Sequence, residues 1–465
     1  MLPPFDPWRS AGVAADVLAV PHGPPDALEA RQRRRLAELL QAAARGSPLY
    51  RGWLAGRDPQ RIRLQELPVA RKSELMARFD EWVCDPSIRR EALRGFVADP
   101  SRIAEPFLGR YVVWESSGSR GEPAVFVQDA AAMAVYDALE VLRQPLWRPA
   151  ERLLDPWGLA ERMVFVGATG GHFASTVSVE RLRRLNPLLA QRLASVSFLQ
   201  PTADLVAEVN ALAPTVLASY PSAAVLLAEE QRAGRLHIAP REVWTGGETL
   251  TPAMARFIED SFGCRVADSY GASEFLALAF ACRHGRLHLN SDWAILEPVD
   301  AEGRPVPPGT TGASVLLTNL ANHVQPLIRY DLGDRVLVHP ERCACGSVLP
   351  AIEVQGRCDD TLRLAGRAGH VATLLPLALA TVLEDEAGLF DFQLVQQGPA
   401  RLLLRTPLHG AQASGALRRG RAALARFLAR QGAQAVRIRC ASGEAPRLGR
   451  SGKLQRVVGL GRDAW

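Results

Sequence analysis

The chain has 465 residues, 48% hydrophobic and 22% charged, a balance that excludes a disordered polymer and a length that exceeds one ordinary core. Its net charge of +6 is spread along the chain, and the arginine clusters at Arg33–Arg35 and Arg181–Arg184 lack interleaved aromatics. They read as solvated helix faces, so no nucleic-acid partner is expected.

The N-terminus, Met1 to Ser10, lacks the charged-then-apolar pattern of a signal peptide, and no run of about 18 apolar residues follows. A cytoplasmic protein with no membrane span is expected. Asp26 to Arg45 has apolar residues at helical spacing and stops near Gly46. Strand-like runs at Tyr111–Trp114, Met163–Val166, Thr215–Ala218 and Glu242–Trp244 then alternate with helix-like runs at Asp129–Leu142, Thr202–Leu212, Ala223–Ala233 and Thr251–Phe262. Such alternation predicts an α/β fold with a largely parallel sheet. From Leu287 the pattern turns strand-rich, with Leu287–Asn290, Ala294–Pro298, Ala313–Thr318 and Arg335–His339 separated by turn residues, which suggests a barrel-like subdomain over about residues 287–356. Val371–Leu383 is apolar but short and contains Pro376, and reads as a buried helix. Strand-like Gln393–Gln396 and Arg401–Leu404, helix-like Gly415–Gln431 and strand-like Ala435–Cys440 complete a small α+β unit. The expected division is a large domain over residues 1–356 and a small mobile one over 357–465.

Seven cysteines do not pair evenly, and without a secretory signal they suggest free thiols or a metal site. Of 55 basic residues only Lys72 and Lys453 are lysine, a hint that a compact ammonium is needed somewhere. After the strand ending at Trp114 comes Glu115-Ser116-Ser117-Gly118-Ser119-Arg120-Gly121-Glu122-Pro123. Small residues let backbone amides and hydroxyls approach an anion, although the Walker spacing is absent; taken alone, the segment reads as a surface turn sooner than as a phosphate loop.

Four later segments change that reading. Ser116–Pro123 resembles the phosphate loop of the adenylate-forming superfamily, which comprises acyl-CoA synthetases, adenylation domains and luciferases. Ser269-Tyr270-Gly271-Ala272-Ser273-Glu274 resembles its Tyr-Gly-x-Thr/Ser-Glu motif, and Ile328–Asp334 its Tyr-Arg-Thr-Gly-Asp motif. Gly356-Arg357-Cys358-Asp359-Asp360 resembles its hinge, and Arg450–Arg456 its Ser-Gly-Lys-x-x-Arg motif. Leu67–Leu75, Pro326–Tyr330 and Cys343–Gly346 resemble the phenylacetate–CoA ligase branch.

The resemblance implies an ATP- and Mg²⁺-dependent ligase that makes an acyl-AMP from a carboxylic acid, aryl or arylacetic by branch, and passes the acyl group to coenzyme A. It implies phosphate contacts from Ser116, Ser117, Gly118, Ser119 and Gly121, and an adenine site framed by Tyr270 with Gly246, Gly247 and Glu248, beside Ser269 and Gly271. Asp334 would accept the ribose hydroxyls, and Arg357 would reach ribose or phosphate. Glu274 would ligate Mg²⁺, a hard cation that prefers oxygen. Ser273 would contact the α-phosphate, and Lys453 would bridge the attacking carboxylate and the nucleotide. Asp359 matches the hinge about which relatives rotate the small domain. The acid would lie near His172, Phe173, Tyr220 and Ala272, though His172 reads equally as a core histidine.

Three thiols and an imidazole, Cys282, His288, Cys343 and Cys345, have the composition of a closed structural zinc site. His288 is preferred to His284 because its Gly-Arg-Leu-His setting resembles the branch, and unmetallated loop residues are the alternative. Ser119 and Arg120 replace the family's usual Thr and Gly, and Leu364–Val371 departs from its Gly-x-Asn-x-x-Pro pattern. The second departure leaves open a carrier-protein thiol or an amine as acceptor. A non-catalytic nucleotide-binding homologue and a zinc-stapled interaction protein are further readings, and a homodimer is left open.

Overall fold

The computed structural model describes residues 3–59, 61–116, 123–144, 161–198, 200–357, 362–366, 371–374, 376–433, 435–444, 446 and 455–460. Its centre is a nine-stranded sheet built from β3 (Met163–Gly167), β4 (Leu193–Ser197), β5 (Val216–Ser219), β6 (Glu242–Gly246), β7 (Arg265–Ala272), β8 (Phe275–Ala281), β9 (Leu287–Leu289), β13 (Asp334–Val338) and β14 (Ala351–Arg357). The spatial order is β13-β14-β9-β8-β7-β6-β5-β3-β4. Strands β4, β3, β5, β6 and β7 are parallel, and each further pairing, from β7–β8 to β14–β13, is antiparallel. The parallel half arises because a helix follows each of β3 to β6 and returns the chain to the starting edge. Two of these helices show why they begin and end where they do. Thr251 caps Pro252–Phe262 by accepting from the Met254 amide, and Gly263 (φ +65°) ends that helix in the left-handed region. Pro221 opens Pro221–Arg232, where a missing amide proton costs no helical bond. Val164, Val166, Leu217 and Val243 on the sheet meet Leu205, Val209, Leu227 and Ile258 on the helices in one apolar core.

The strand-rich stretch is distributed over two sheets. β9, β13 and β14 continue the main sheet, while β10 (Ala294–Val299), β11 (Ser314–Asn319) and β12 (Tyr330–Asp331) form a three-stranded sheet of their own. Both share a second core with the N-terminal helices and with the hairpin of β1 (Val112–Glu115) and β2 (Val125–Gln128). Trp82, Trp114, Phe126, Tyr136 and Phe275 are among its fully buried rings.

A small sheet domain has a third, separate core drawn from residues 362–457. Here β15 (Leu362–Ala365) pairs with β16 (Val371–Leu374), and β17 (Gln393–Gly398), β18 (Arg401–Thr406), β19 (Arg437–Ser442) and β20 (Val457–Val458) make a four-stranded sheet in the order β19-β18-β17-β20. The helix Gly410–Arg430 packs over it through Leu417, Leu424 and Leu428. Val371–Leu383 is not one helix. Its first four residues are β16, and helix begins at Pro376, where a ring without an amide proton is tolerated only at the start. No helix among the described residues is long and apolar enough to cross a membrane.

Candidate nucleotide and metal sites

The carboxyl ends of β3, β5 and β6 lie level with one another and with Ser269 of β7, because the parallel register pairs Val166 with Ser219, Ser219 with Thr245, and Gly246 with Ser269. In open α/β sheets that edge is where ligands bind. It carries the His172–Phe173 loop, Tyr220, Gly246-Gly247-Glu248 and the turn from β7 into β8 that holds Ser273 and Glu274. Two glycines make the edge buildable. A Cβ on Gly246 would stand 2.6 Å from the Ser269 hydroxyl oxygen, and one on Gly271 would stand 2.0 Å from the Leu276 carbonyl oxygen. Gly247, at φ +78°, reverses the chain beyond β6.

Residues far apart in sequence meet here. The Tyr270 hydroxyl donates to Asp334 Oδ2 at 2.7 Å, joining two motifs 64 positions apart. Asp334 begins β13 and stands in register with Arg357 on β14. Ser273 and Glu274 are half-buried. Their turn is held from behind, where Trp114 Nε1 donates to the Ser273 carbonyl at 2.7 Å and Asn319 Nδ2 donates to the Glu274 carbonyl at 2.9 Å. Ser116 closes the β1–β2 hairpin, its hydroxyl accepting from the Ala124 amide at 2.9 Å. Glu248 accepts from the Ser222 amide at 3.1 Å, so its carboxylate sits at the start of the helix Pro221–Arg232. Ser117, Gly118, Ser119, Gly121, Asp359 and Lys453 lie outside the described residues.

Of the expected acid-site residues, Phe173 and Ala272 are half-buried. Tyr220 is buried edge-on against Phe165 and Phe198. His172 has the setting of a core histidine: it is 0% exposed, its Nε2 donates to the Asp99 carbonyl at 3.0 Å, and its ring packs on Phe96. Its backbone does serve the site, since the His172 carbonyl accepts from the Glu115 amide at 2.7 Å and so ties β1 to the main sheet edge.

Sequence reasoning passed over Asp268, Thr245, Trp114 and Asn319. Asp268 precedes Tyr270 by two on β7, and the Thr245 hydroxyl donates to its Oδ1 at 2.8 Å. Burial pushes its carboxyl up to about 7. The period-two alternation of a strand was the available signal. The motif arginine Arg329 proves structural. It is buried at φ +51°, pairs with Glu297 at 3.3 Å and donates to the Leu67 carbonyl at 2.6 Å. The amides of Ala70 and Asp331 donate to the carbonyls of Arg329 and Ala70, so the Leu67–Ala70 segment is stitched to β12.

The four expected metal ligands come together. The ligand atoms of Cys282, His288, Cys343 and Cys345 all lie within 4.8 Å of one another. Cys282 Sγ is 3.8 Å from Cys343 Sγ, and Cys345 Sγ is 3.3 Å from His288 Nε2. A tetrahedron with Zn–S bonds of about 2.3 Å has S···S edges of about 3.8 Å. His288 Nδ1 donates to the Leu349 carbonyl at 2.8 Å, which puts the ring proton there and leaves the Nε2 lone pair facing the thiols. His284 is exposed and outside the cluster. A cavity of about 350 Å³ borders the cluster between Pro21, Arg143, Phe280 and Leu349, and none of the expected nucleotide residues lines it.

Residues 189–317, which include Gly246–Glu248 and Ser269–Glu274, match the family described as AMP-binding enzyme. No curated protein matches the sequence. Among solved structures, a 2-hydroxyisobutyryl-CoA ligase in its postadenylation state with 2-HIB-AMP is similar over 93% of this chain and 89% of its own, at 22% identity and TM-score 0.64. This chain has the fold of the adenylate-forming enzymes. The same ligase in its thioesterification state, with 2-HIB-AMP and CoA, gives TM-score 0.55 over 94% and 91% of the two chains, again at 22% identity. Fatty acyl-adenylate ligases from E. coli and L. pneumophila are similar over 74% of this chain and 68% of theirs, at 14% identity and TM-score 0.51. The antiparallel half of the main sheet accounts for the juxtaposition of Tyr270 and Asp334, because it places β13 and β14 in the sheet that presents β7.

Proposed function

We propose that this chain activates a carboxylic acid with ATP, forming an acyl-AMP and pyrophosphate, and then transfers the acyl group to the thiol of coenzyme A, releasing AMP. The Tyr270–Asp334 hydrogen bond carries the reading, since it unites an aromatic face for a purine with a carboxylate for ribose hydroxyls at the ligand-binding edge of the sheet. The acid's carboxylate attacks the α-phosphorus, and the bond to pyrophosphate breaks. Two anions must approach, so positive charge and fixed donors are required. Ser273 supplies a hydroxyl at the α-phosphate, Arg357 a cation near the ribose, and Ser116–Gly121 the donors for the departing phosphates. Lys453 supplies the mobile ammonium beside the attacking carboxylate. Mg²⁺, when bound, neutralises phosphate charge, and the Glu274 carboxylate is the ligand offered for it.

The higher TM-score with the postadenylation form of the ligase supports reading this arrangement as one suited to the first half-reaction. The small domain, joined at Asp359, would then rotate to admit the thiol. The branch resemblance favours aryl or arylacetic acids held near Phe173, Tyr220 and Ala272. The departure at residues 364–371, in the region that borders the thiol tunnel of relatives, supports a second reading in which a carrier-protein thiol or an amine accepts the acyl group. Cys282, His288, Cys343 and Cys345 would hold one structural Zn²⁺, which would staple the β8–β9 hairpin to the loop between β13 and β14. A cytoplasmic location fits free thiols and a soluble cofactor set.

Acid-dependent exchange of pyrophosphate into ATP, run across a panel of carboxylic acids, tests the first half. Absence of exchange with every acid would overturn the reading. Adding coenzyme A or a phosphopantetheinylated carrier then separates the two acceptors.

A further inference from the structure

Between the small domain and the main sheet's helices lies a buried network that the chemistry above does not use. A single π-helical turn, Val382–Glu386, follows the helix Pro376–Thr381 and turns Glu384 inward, where its side chain is 0% exposed. Such turns are rare and frequent at functional positions. One Glu384 oxygen accepts from the Thr251 hydroxyl, and the other pairs with the Arg456 guanidinium. Thr251 is the cap of the helix Pro252–Phe262 in the large domain. Arg456 also donates to the Phe390 carbonyl at 2.7 Å, lies over the Phe392 ring at 4.2 Å and stands 3.4 Å from Met254 Sδ. Phe390 in turn stacks on Phe257, with ring centroids 5.5 Å apart.

The two ends of this network are tied to the two halves of the proposed site. Thr251 is three residues beyond Glu248, and Arg456 is three residues beyond Lys453. Three residues span at most about 11 Å. Fixing Thr251 against Arg456 therefore limits how far the Lys453 segment can stray from the edge that carries Gly246–Glu248. The same interface holds an opposing element. Burial and the nearby Asp391 carboxylate push Glu229 up to about 7, and burial raises Asp391 as well. A buried ion pair is costly to break by removing one partner, whereas a second buried carboxylate nearby works against the closed contact, offset in part by the Arg456 guanidinium beside Asp391. Attraction and repulsion side by side suit a contact that must both form and release.

We infer that Glu384 is a positioning residue: a latch between Thr251 and Arg456 that holds the small domain in the acyl-AMP-forming arrangement and opens for acyl transfer. The inference rests on the proposed adenylation chemistry. It is tested with Glu384→Gln and Thr251→Val, each checked for a wild-type circular dichroism spectrum, in two separated half-reactions. The latch requires the kcat for acid-dependent pyrophosphate exchange to fall about tenfold or more with the KM for ATP within about twofold. It also requires thioester formation from supplied acyl-AMP to be unchanged or faster. Glu384→Asp should recover part of the loss. Equal losses in both halves, or none in either, would overturn it. Small-angle scattering of the ligand-free proteins separates this failure from failure of the adenylation reading. Even if wild type exchanges no pyrophosphate, an opened latch broadens the distance distribution of Glu384→Gln, and a profile identical to wild type overturns the latch on its own.

Discussion

At the scale of single residues, the sharpest tests concern groups whose partners are now known. Removing the Tyr270 hydroxyl as Tyr270→Phe keeps the ring and deletes the bond to Asp334. Such a bond contributes about 0.5–1.5 kcal/mol net, so the melting temperature should fall by no more than a few degrees while the KM for ATP rises several-fold. Exchange kinetics across ATP concentrations read this directly. Arg329 makes a different kind of prediction. Its ion pair with Glu297 is buried on both sides, at 5% and 7% side-chain exposure. Arg329→Ala leaves that carboxylate buried without its cation, with only the Gln65 amide still donating to it at 3.2 Å, at a cost of about 3–5 kcal/mol in a denaturant melt. A loss under about 1 kcal/mol would contradict the buried pairing. Asp268 adds a pH dependence. Its folded carboxyl is raised to about 7, above the usual Asp value of 3.8, so its contribution to stability is full below about pH 4 and is lost as pH rises through 7. Asp268→Asn should therefore melt higher than wild type at pH 8, and that advantage should vanish by about pH 4.

At the scale of elements, Cys282, His288, Cys343 and Cys345 bring together two segments that the sequence separates by about sixty residues. Cys282 and His288 flank the turn from β8 into β9, while Cys343 and Cys345 lie between β13 and β14. The strands themselves pair only briefly there, β9 meeting β14 at Leu287 and His288. Zinc would supply cross-linking that this short ladder lacks. Cys343→Ser is expected to reduce bound zinc from one equivalent to well below half by elemental analysis, with a lower melting temperature. Wild type purified with less than a tenth of an equivalent would remove the zinc assignment. Elements also show where local pattern misleads. The run at Val371–Leu383 carries no charge, yet Pro376 divides it into strand and helix, because the missing amide proton forbids an interior helical position.

At the scale of the whole molecule, catalysis as proposed requires the large and small domains to meet at one triphosphate. Lys453→Ala should cut acid-dependent exchange by a factor of about 10²–10³, the usual loss when a transition-state charge partner is removed, with an unchanged melting curve. Exchange at the wild-type rate would remove Lys453 from its assigned role. Much of this organisation was legible in one sequence. The β-α alternation from Met163 to Phe262 was readable because short β-branched or apolar runs alternate with runs at helical spacing. The motif residues Tyr270 and Asp334 were readable through their resemblance to family motifs, and the quartet around Cys343 through its thiol and imidazole composition together with the branch resemblance that picked His288. Asp268, Trp114 and Asn319 were not, since a strand residue or a buried indole announces no role until its partner is seen.

The sequence alone determined which side chains exist to do chemistry, and the order in which local elements form, because both follow from residue identity and short-range backbone preference. Only the tertiary structure decided that the strand-rich stretch divides between two sheets, that His172 is packed inside, and that Arg329 supports the fold. It also decided that Glu384 stands between Thr251 and Arg456. Those outcomes depend on contacts across tens to hundreds of residues, where burial, close packing and pairing of charges select among alternatives that local pattern leaves equal.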